Sequence, residues 1–291
     1  MKHDKSLHWT ATPNGEFKGK KVAIVGGTGG IGRAFAQRLA ALGAQVTVIG
    51  RSFRDQNMPG ISFVKADLSL MREAARIAEA LPAQSFDLVL LTTGVMAGPQ
   101  REVTSEGLEN DLAISYLSRL VVLWGIAGRL APHADGKKPR VFVWGFPGTN
   151  QKANIEDLNS ERGYGRMSAH MNTVAGNEAL VLDAAERFQG FNTYGMNPGF
   201  VKTDIRGKLF GGKNWLYHLV EGLSSVFTKS AEAYAERIIP LLLAPELDQH
   251  NGAMFDSKGR AILPSSWLDP VNRQALISRS VELLRARGVS L

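Results

Sequence analysis

The 291-residue chain has no cysteine, so disulfides, thiolate ligands and thiol nucleophiles are excluded from its chemistry. Histidine is scarce: there are six, none in an HExxH or similar spacing, which argues against a metal site. No stretch reaches about 18 consecutive apolar residues, and the opening Met1-Lys-His-Asp-Lys-Ser6 lacks an apolar signal core. A soluble, cytoplasmic protein without stable membrane insertion is expected. Repeats, low-complexity runs and linkers are also missing. Acid is under-represented, and the net charge is +7. The basic residues are nevertheless scattered, with tight clusters only at Lys18-Gly-Lys-Lys21 and Lys137-Lys138. That spread disfavours a nucleic-acid surface and suits a small polyanionic ligand. A hydrophobic content of 44% is enough for a sizeable core.

What is present is organised around Val22-Ala-Ile-Val-Gly26-Gly27-Thr28-Gly29-Gly30-Ile31-Gly32-Arg33. An apolar, β-branched run suits a strand buried on both faces. After the glycines, Ile31, Ala34, Phe35, Leu39 and Leu42 recur at helical spacing. Glycines here permit a tight turn, let the backbone approach a pyrophosphate, and let helix and strand pack closely. The helix N-terminus then offers unpaired N–H groups and a positive dipole end. A purely structural glycine turn is the alternative. Further strands are expected at 44–50, 61–65, 86–92, 140–144, 191–196 and 252–255. Helices are expected at 70–81 with Ser69 as N-cap, and at 104–131, 164–189, 230–244 and 268–288. Such alternation predicts an α/β fold: a Rossmann-type doubly wound parallel sheet of about seven strands with helices on both faces. It forms one domain, 20–291, behind a tail, 1–19, that is either mobile or wrapped on the surface with Trp9 as an anchor. The stretch 205–228 is apolar and aromatic. It reads as a lid over an apolar substrate, with core or dimer packing and membrane contact as alternatives.

The spacing Gly26-x-x-x-Gly30-x-Gly32 resembles the T-G-x-x-x-G-x-G pattern of the short-chain dehydrogenase/reductase family, with Val25 in place of Thr. The resemblance spans roughly residues 20–270 and is nearest to retinol-dehydrogenase-like members. Thr104-Ser-Glu-Gly-Leu-Glu109 is similar to T-x-D-G-L-E, Asp157-Leu-Asn-Ser-Glu161 to D-L-N-x-E, and Pro198-Gly199 through Thr203 to P-G-x-x-x-T. It implies a nicotinamide dinucleotide held at Gly26, Thr28, Gly29, Gly30, Ile31 and Gly32. Asp67 and Leu68 would lie at the adenine, although Asp67 also reads as a turn residue. Thr93 and Gly94 stand where the family has N-N-A-G. Pro198, Gly199, Val201 and Thr203 would lie at the nicotinamide end. At the close of the second strand an acid would accept from a ribose 2′-hydroxyl, whereas a cation meets a 2′-phosphate. Arg51 with Ser52 therefore points to NADP(H) over NAD(H), a surface arginine being the alternative.

The catalytic positions depart from the pattern. Family members use a Tyr as proton donor or acceptor, a Lys four residues later, a Ser after the fifth strand and an Asn in the long helix. In this register the Asn falls on Ser115, the Ser on Phe146 or Gly145, the Tyr on His170 and the Lys on Val174. Tyr164 is followed four residues on by Ser168, so YxxxK is absent. A phenol far from any cation is a poor proton donor at neutral pH, whereas an imidazole titrates near it. His170, with Ser115 beside the relay, is thus the candidate acid–base group; a helix residue without catalytic role is the alternative. Three readings follow for a small-molecule substrate. One is an NADP-dependent oxidoreductase of small apolar carbonyls, enones or imines. Another is a non-redox isomerase, dehydratase or cyclase on the same fold. The last is a silent cofactor-binding protein. A homodimer or homotetramer is left open.

Overall fold

The computed structural model describes residues 1–55, 57–199, 201–202 and 229–291. The expected lid, 205–228, and Thr203 lie outside the described residues. Seven strands run parallel: β1 (Lys21–Val25), β2 (Gln45–Gly50), β3 (Ile61–Lys65), β4 (Leu88–Leu91), β5 (Arg140–Trp144), β6 (Asn192–Met196) and β9 (Met254–Phe255). They are the seven read from the sequence. An eighth, β10 (Ala261–Ile262), joins antiparallel at the edge, giving the order β10-β9-β6-β5-β4-β1-β2-β3. Two residues are too few for a period-2 pattern to reveal. A separate pair, β7 (Val201–Lys202) and β8 (Lys229–Ser230), is parallel.

Every residue of β4 and β5 is buried, and so is β1 after Lys21, because helices cover both faces. Successive side chains point to opposite layers. Ala23, Val25, Val89, Leu91, Val141 and Val143 face α2 (Met71–Ala80), the long helix α3 (110–127), α4 (Arg166–Arg187) and α6 (Pro270–Arg285). Val22, Ile24, Leu88, Leu90, Phe142 and Trp144 face α1 (Gly30–Ala41) and α5 (Ala231–Leu242). Each fully buried Val, Leu or Ile contributes about 1.5–3 kcal/mol, so these alternating rows hold the layers together.

Residues 1–19 lie along this body. Lys2 and Asp4 exchange backbone hydrogen bonds with Leu263 and Ala261, extending the sheet beyond β10. Leu7 and Phe17 are buried, and Trp9 Nε1 donates to the Gly259 carbonyl at 2.6 Å. Among the described residues no helix is long and apolar enough to cross a membrane.

Two helix starts differ from expectation. Ser69 does not cap α2; its hydroxyl and amide both donate to Asp67 Oδ1. The α2 N-terminus is capped instead by Glu106, which accepts from the amides of Met71 and Arg72, a partner 35 residues away that local pattern cannot supply. Helix α3 begins at Asn110, not 104, as three continuous parts: Asn110–Leu112, a π-helical turn Ala113–Leu117, and Ser118–Ala127. Gly107, at φ 75°, closes a turn onto Thr104, and Glu109 accepts from the amides of Asp111 and Leu112. The acid at 109 is therefore an N-cap and not a helical residue.

The π turn places the Tyr116 ring against Gly176 of α4, where an added Cβ would lie 2.7 Å from ring atoms. Tyr116 is fully buried and cannot give way. Gly176→Ala is expected to gain about 1 kcal/mol of helix propensity and to lose more, up to about 3 kcal/mol, to overpacking. A lowered urea midpoint at unchanged slope checks this.

Candidate active site

Strand order reverses between β1 and β4, so a crevice opens at their carboxyl ends. The glycines of the β1–α1 turn divide the work there. Gly26 has φ 93°, and a Cβ on it would lie 2.5 Å from the Thr93 amide nitrogen. Gly32 is pressed on by Thr92 Oγ1 and the Gly26 carbonyl. These two pack helix against sheet. Gly29, the N-cap of α1, would meet nothing within 4 Å if it carried a Cβ, and no side chain caps the helix there. It leaves the first helical turn open to an anion. Ile31 follows in that first turn, and Gly30 takes φ 50°.

Around this turn stand the other expected cofactor residues. Thr28 packs on the end of β2 at Gly50. Arg51 and Ser52 are exposed just beyond it, and Arg51 makes no ion pair with another described residue. Arg33 is already committed, in a bidentate pair with Asp55 at 2.6 and 2.8 Å that holds the Asp55 carboxyl below its usual range. Asp67 is half-buried and held in its turn by Ser69, while Leu68 is buried. Thr93 is buried with its hydroxyl unpartnered, and Gly94 follows. Pro198 is buried. Gly199 takes φ 63°, and its amide donates to Asn197 Oδ1 at 3.0 Å. Val201 begins β7.

His170 and Ser115 come together through a residue that the sequence reading missed. Asp111, fully buried, takes His170 Nδ1 at 2.7 Å and the Ala97 amide at 3.1 Å on Oδ2, and the Ser115 hydroxyl at 2.5 Å on Oδ1. A carboxylate only accepts, so Nδ1 carries the ring proton and Nε2 is left to give or take one. Ser115 Oγ also accepts from the Val95 amide at 2.9 Å, which ties the group to the loop after β4. The serine donates to the carboxylate and not to the imidazole. It is therefore not poised as a nucleophile, and acyl-transfer chemistry of the Ser–His–Asp type is unsupported.

No described tyrosine competes for the proton-donor role. Tyr164 donates to the Gly98 carbonyl at 2.6 Å, and burial raises its pKa. Tyr116, Tyr194 and Tyr234 lie in the core with their phenols pushed up by burial. Val174 is buried, so no cation stands at that position. Phe146 is half-buried at the tip after β5.

Three further polar residues surround the site. Arg119 in α3 is buried and donates to the carbonyls of Thr93 and Trp144 and to Asn177 Oδ1. Asn177 passes donors on to the carbonyls of Ser115 and Thr173, each at 2.8 Å. Glu178 accepts from the Ser265 amide and hydroxyl and from the Gly148 amide, fixing the loop after β5. Arg119 and the Asn177–Glu178 pair share one sequence signal, a polar break in an otherwise apolar helical run, whereas Asp111 follows Glu109 and Asn110 and carries none.

Burial raises the Glu178 carboxyl above its ordinary 4.5. A raised folded-state pKa contributes stability that is full below 4.5 and is lost as pH rises through the folded value. The melting-temperature advantage of the wild type over Glu178→Gln is expected to be largest below pH 4.5 and to narrow as pH rises toward 7. Thermal scans at stepped pH measure it.

Comparison with known proteins follows the same lines. The family model of the D-isomer specific 2-hydroxyacid dehydrogenase NAD-binding domain matches residues 2–86, which include the β1–α1 turn. An uncharacterized oxidoreductase of Saccharomyces cerevisiae is 46% identical over 259 residues, covering 87% of this chain and 84% of the relative. Human retinol dehydrogenase 12 is 28% identical over 294 residues, covering 94% and 89%. Among solved structures, a short chain dehydrogenase/reductase family protein superposes with a TM-score of 0.60 at 21% identity, over 84% of this chain and 98% of that one, a likeness of fold.

Proposed function

This chain belongs to the short-chain dehydrogenase/reductase family and is an oxidoreductase, and from that premise we propose that it uses NADP(H) on a small apolar carbonyl, enone or imine, with His170 as its acid–base group. The observation that carries the reading is the His170–Asp111–Ser115 cluster beside the loop after β4.

The residues present fit a dinucleotide. Gly29 leaves a cradle that a ligand's phosphates can enter, and the Thr93 hydroxyl has no partner among the described residues. Pyrophosphate oxygens would meet the amides of Gly30 to Gly32, and a 2′-phosphate would meet Arg51 and Ser52. The bound cofactor supplies or accepts a hydride at its nicotinamide. The protein must then move one proton. His170 Nε2 delivers it to the substrate oxygen or nitrogen during reduction, or removes it during oxidation. Asp111 holds the ring in register, while the Ala97 amide and Ser115 hydroxyl keep the carboxylate in place. Phe146 or Gly145 stands where the family has a polar Ser, and neither supplies a hydroxyl to the site. An apolar, already electrophilic substrate suits that exchange, and retinol dehydrogenase 12 is named for an apolar alcohol.

His170→Ala is expected to lower turnover by about 100-fold, read as NADPH consumption with a panel of apolar carbonyls, at unchanged NADPH affinity; undiminished turnover removes the role. Arg51→Ala is expected to weaken NADPH about tenfold or more, the loss of a charge-assisted phosphate contact, and NADH hardly at all. Equal losses in fluorescence titration remove the NADP assignment.

A further inference from the structure

Arg119 has a role that stability does not explain. It is 3% exposed, in the apolar run Leu117–Ile126, and among the described residues it contacts no carboxylate. Its partners are two main-chain carbonyls and an amide oxygen, and its Nε is unpartnered. Burial pushes the guanidinium down to about 9, against a pull from Asp111, so it remains charged at neutral pH. A buried cation satisfied only by neutral oxygens costs more than a well-packed apolar side chain. What the guanidinium gains is geometry. One terminal nitrogen holds the Thr93 carbonyl at the tip of β4, and the other holds the Trp144 carbonyl at the tip of β5. The second nitrogen also holds Asn177 of α4 at 2.9 Å, and Asn177 reaches back to the Ser115 carbonyl in the π turn of α3. Four elements that border His170 and Asp111 thus converge on one rigid planar group.

We propose that Arg119 is a positioning residue of the active site, locking the tips of β4 and β5 to each other and to α4 so that the His170–Asp111 pair and the nicotinamide meet in one fixed geometry. The proposal rests on the reading of His170 as the acid–base group. The cation sits beneath the floor of the site, in the helix, and acts through carbonyl oxygens.

Arg119→Met fills similar volume without donors, and Arg119→Lys keeps the charge while losing the fork. Hydrogen–deuterium exchange on the full chain is the direct test. Amides of 92–97 and 144–149 are expected to exchange at least tenfold faster in Arg119→Met, with β3 unchanged. Arg119→Lys should fall between Met and wild type. With NADPH and 9,10-phenanthrenequinone as probes, turnover is expected to drop about 100-fold while the KM for NADPH stays within threefold. Unchanged exchange at both tips in Met and Lys variants overturns the proposal, and so does acceleration spread evenly over the whole chain in both. If His170→Ala leaves turnover intact while Arg119→Met loosens the tips, the acid–base assignment fails and the clamp stands; if His170→Ala is impaired and the tips of the Arg119 variants are unmoved, the reverse holds.

Discussion

The carboxyl ends of β1 and β4 approach so closely that no side chain fits between them. At Gly26 the Thr93 backbone occupies the place of a Cβ, and at Gly32 the Thr92 side chain and the Gly26 carbonyl do the same. That contact sets where α1 begins. It therefore sets where its uncapped first turn points, and it fixes the height of Thr93, whose carbonyl is the end of the strand that Arg119 grips. The crevice at the switch point follows from the reversal of strand order between β1 and β4, and the close packing sets what lines it.

Asp111, Ser115 and Arg119 on α3, with Asn177 and Glu178 on α4, are buried polar groups. Each is offset by directed partners: amides for the carboxylates, carbonyls for the guanidinium. The π turn in α3 lies between Asp111 and Arg119 and spaces them, and such turns recur at functional sites. Where the family places a phenol and an ammonium on one helix, this chain has an imidazole on α4 held by a carboxylate from α3, and a guanidinium behind the strand tips.

The seven parallel strands and the helices between them are legible because most strands are short apolar or β-branched runs between turn residues and the helices have their period. Gly26, Gly29 and Gly32 were legible as a turn, yet their separate jobs were not, since only the neighbours at Thr92 and Thr93 distinguish packing from open space. The cap of α2 and the start of α3 are not legible locally: the first cap comes from Glu106, distant in sequence, and the second from Glu109, disguised by a helical-looking motif. His170 and Ser115 could be nominated from register alone. Asp111 could not, because 59 residues separate it from the imidazole that it holds.

Sequence by itself determined the layer order, the position of the phosphate turn, and the absence of a Tyr–Lys pair, because these depend on local periodicity, glycine placement and residue identity. Tertiary structure alone decided that an aspartate and a serine from one helix meet a histidine from another, and that an arginine in an apolar helix turns inward to the strand tips. Those arrangements depend on how two helices and two strand ends converge, and no local pattern encodes a convergence in space.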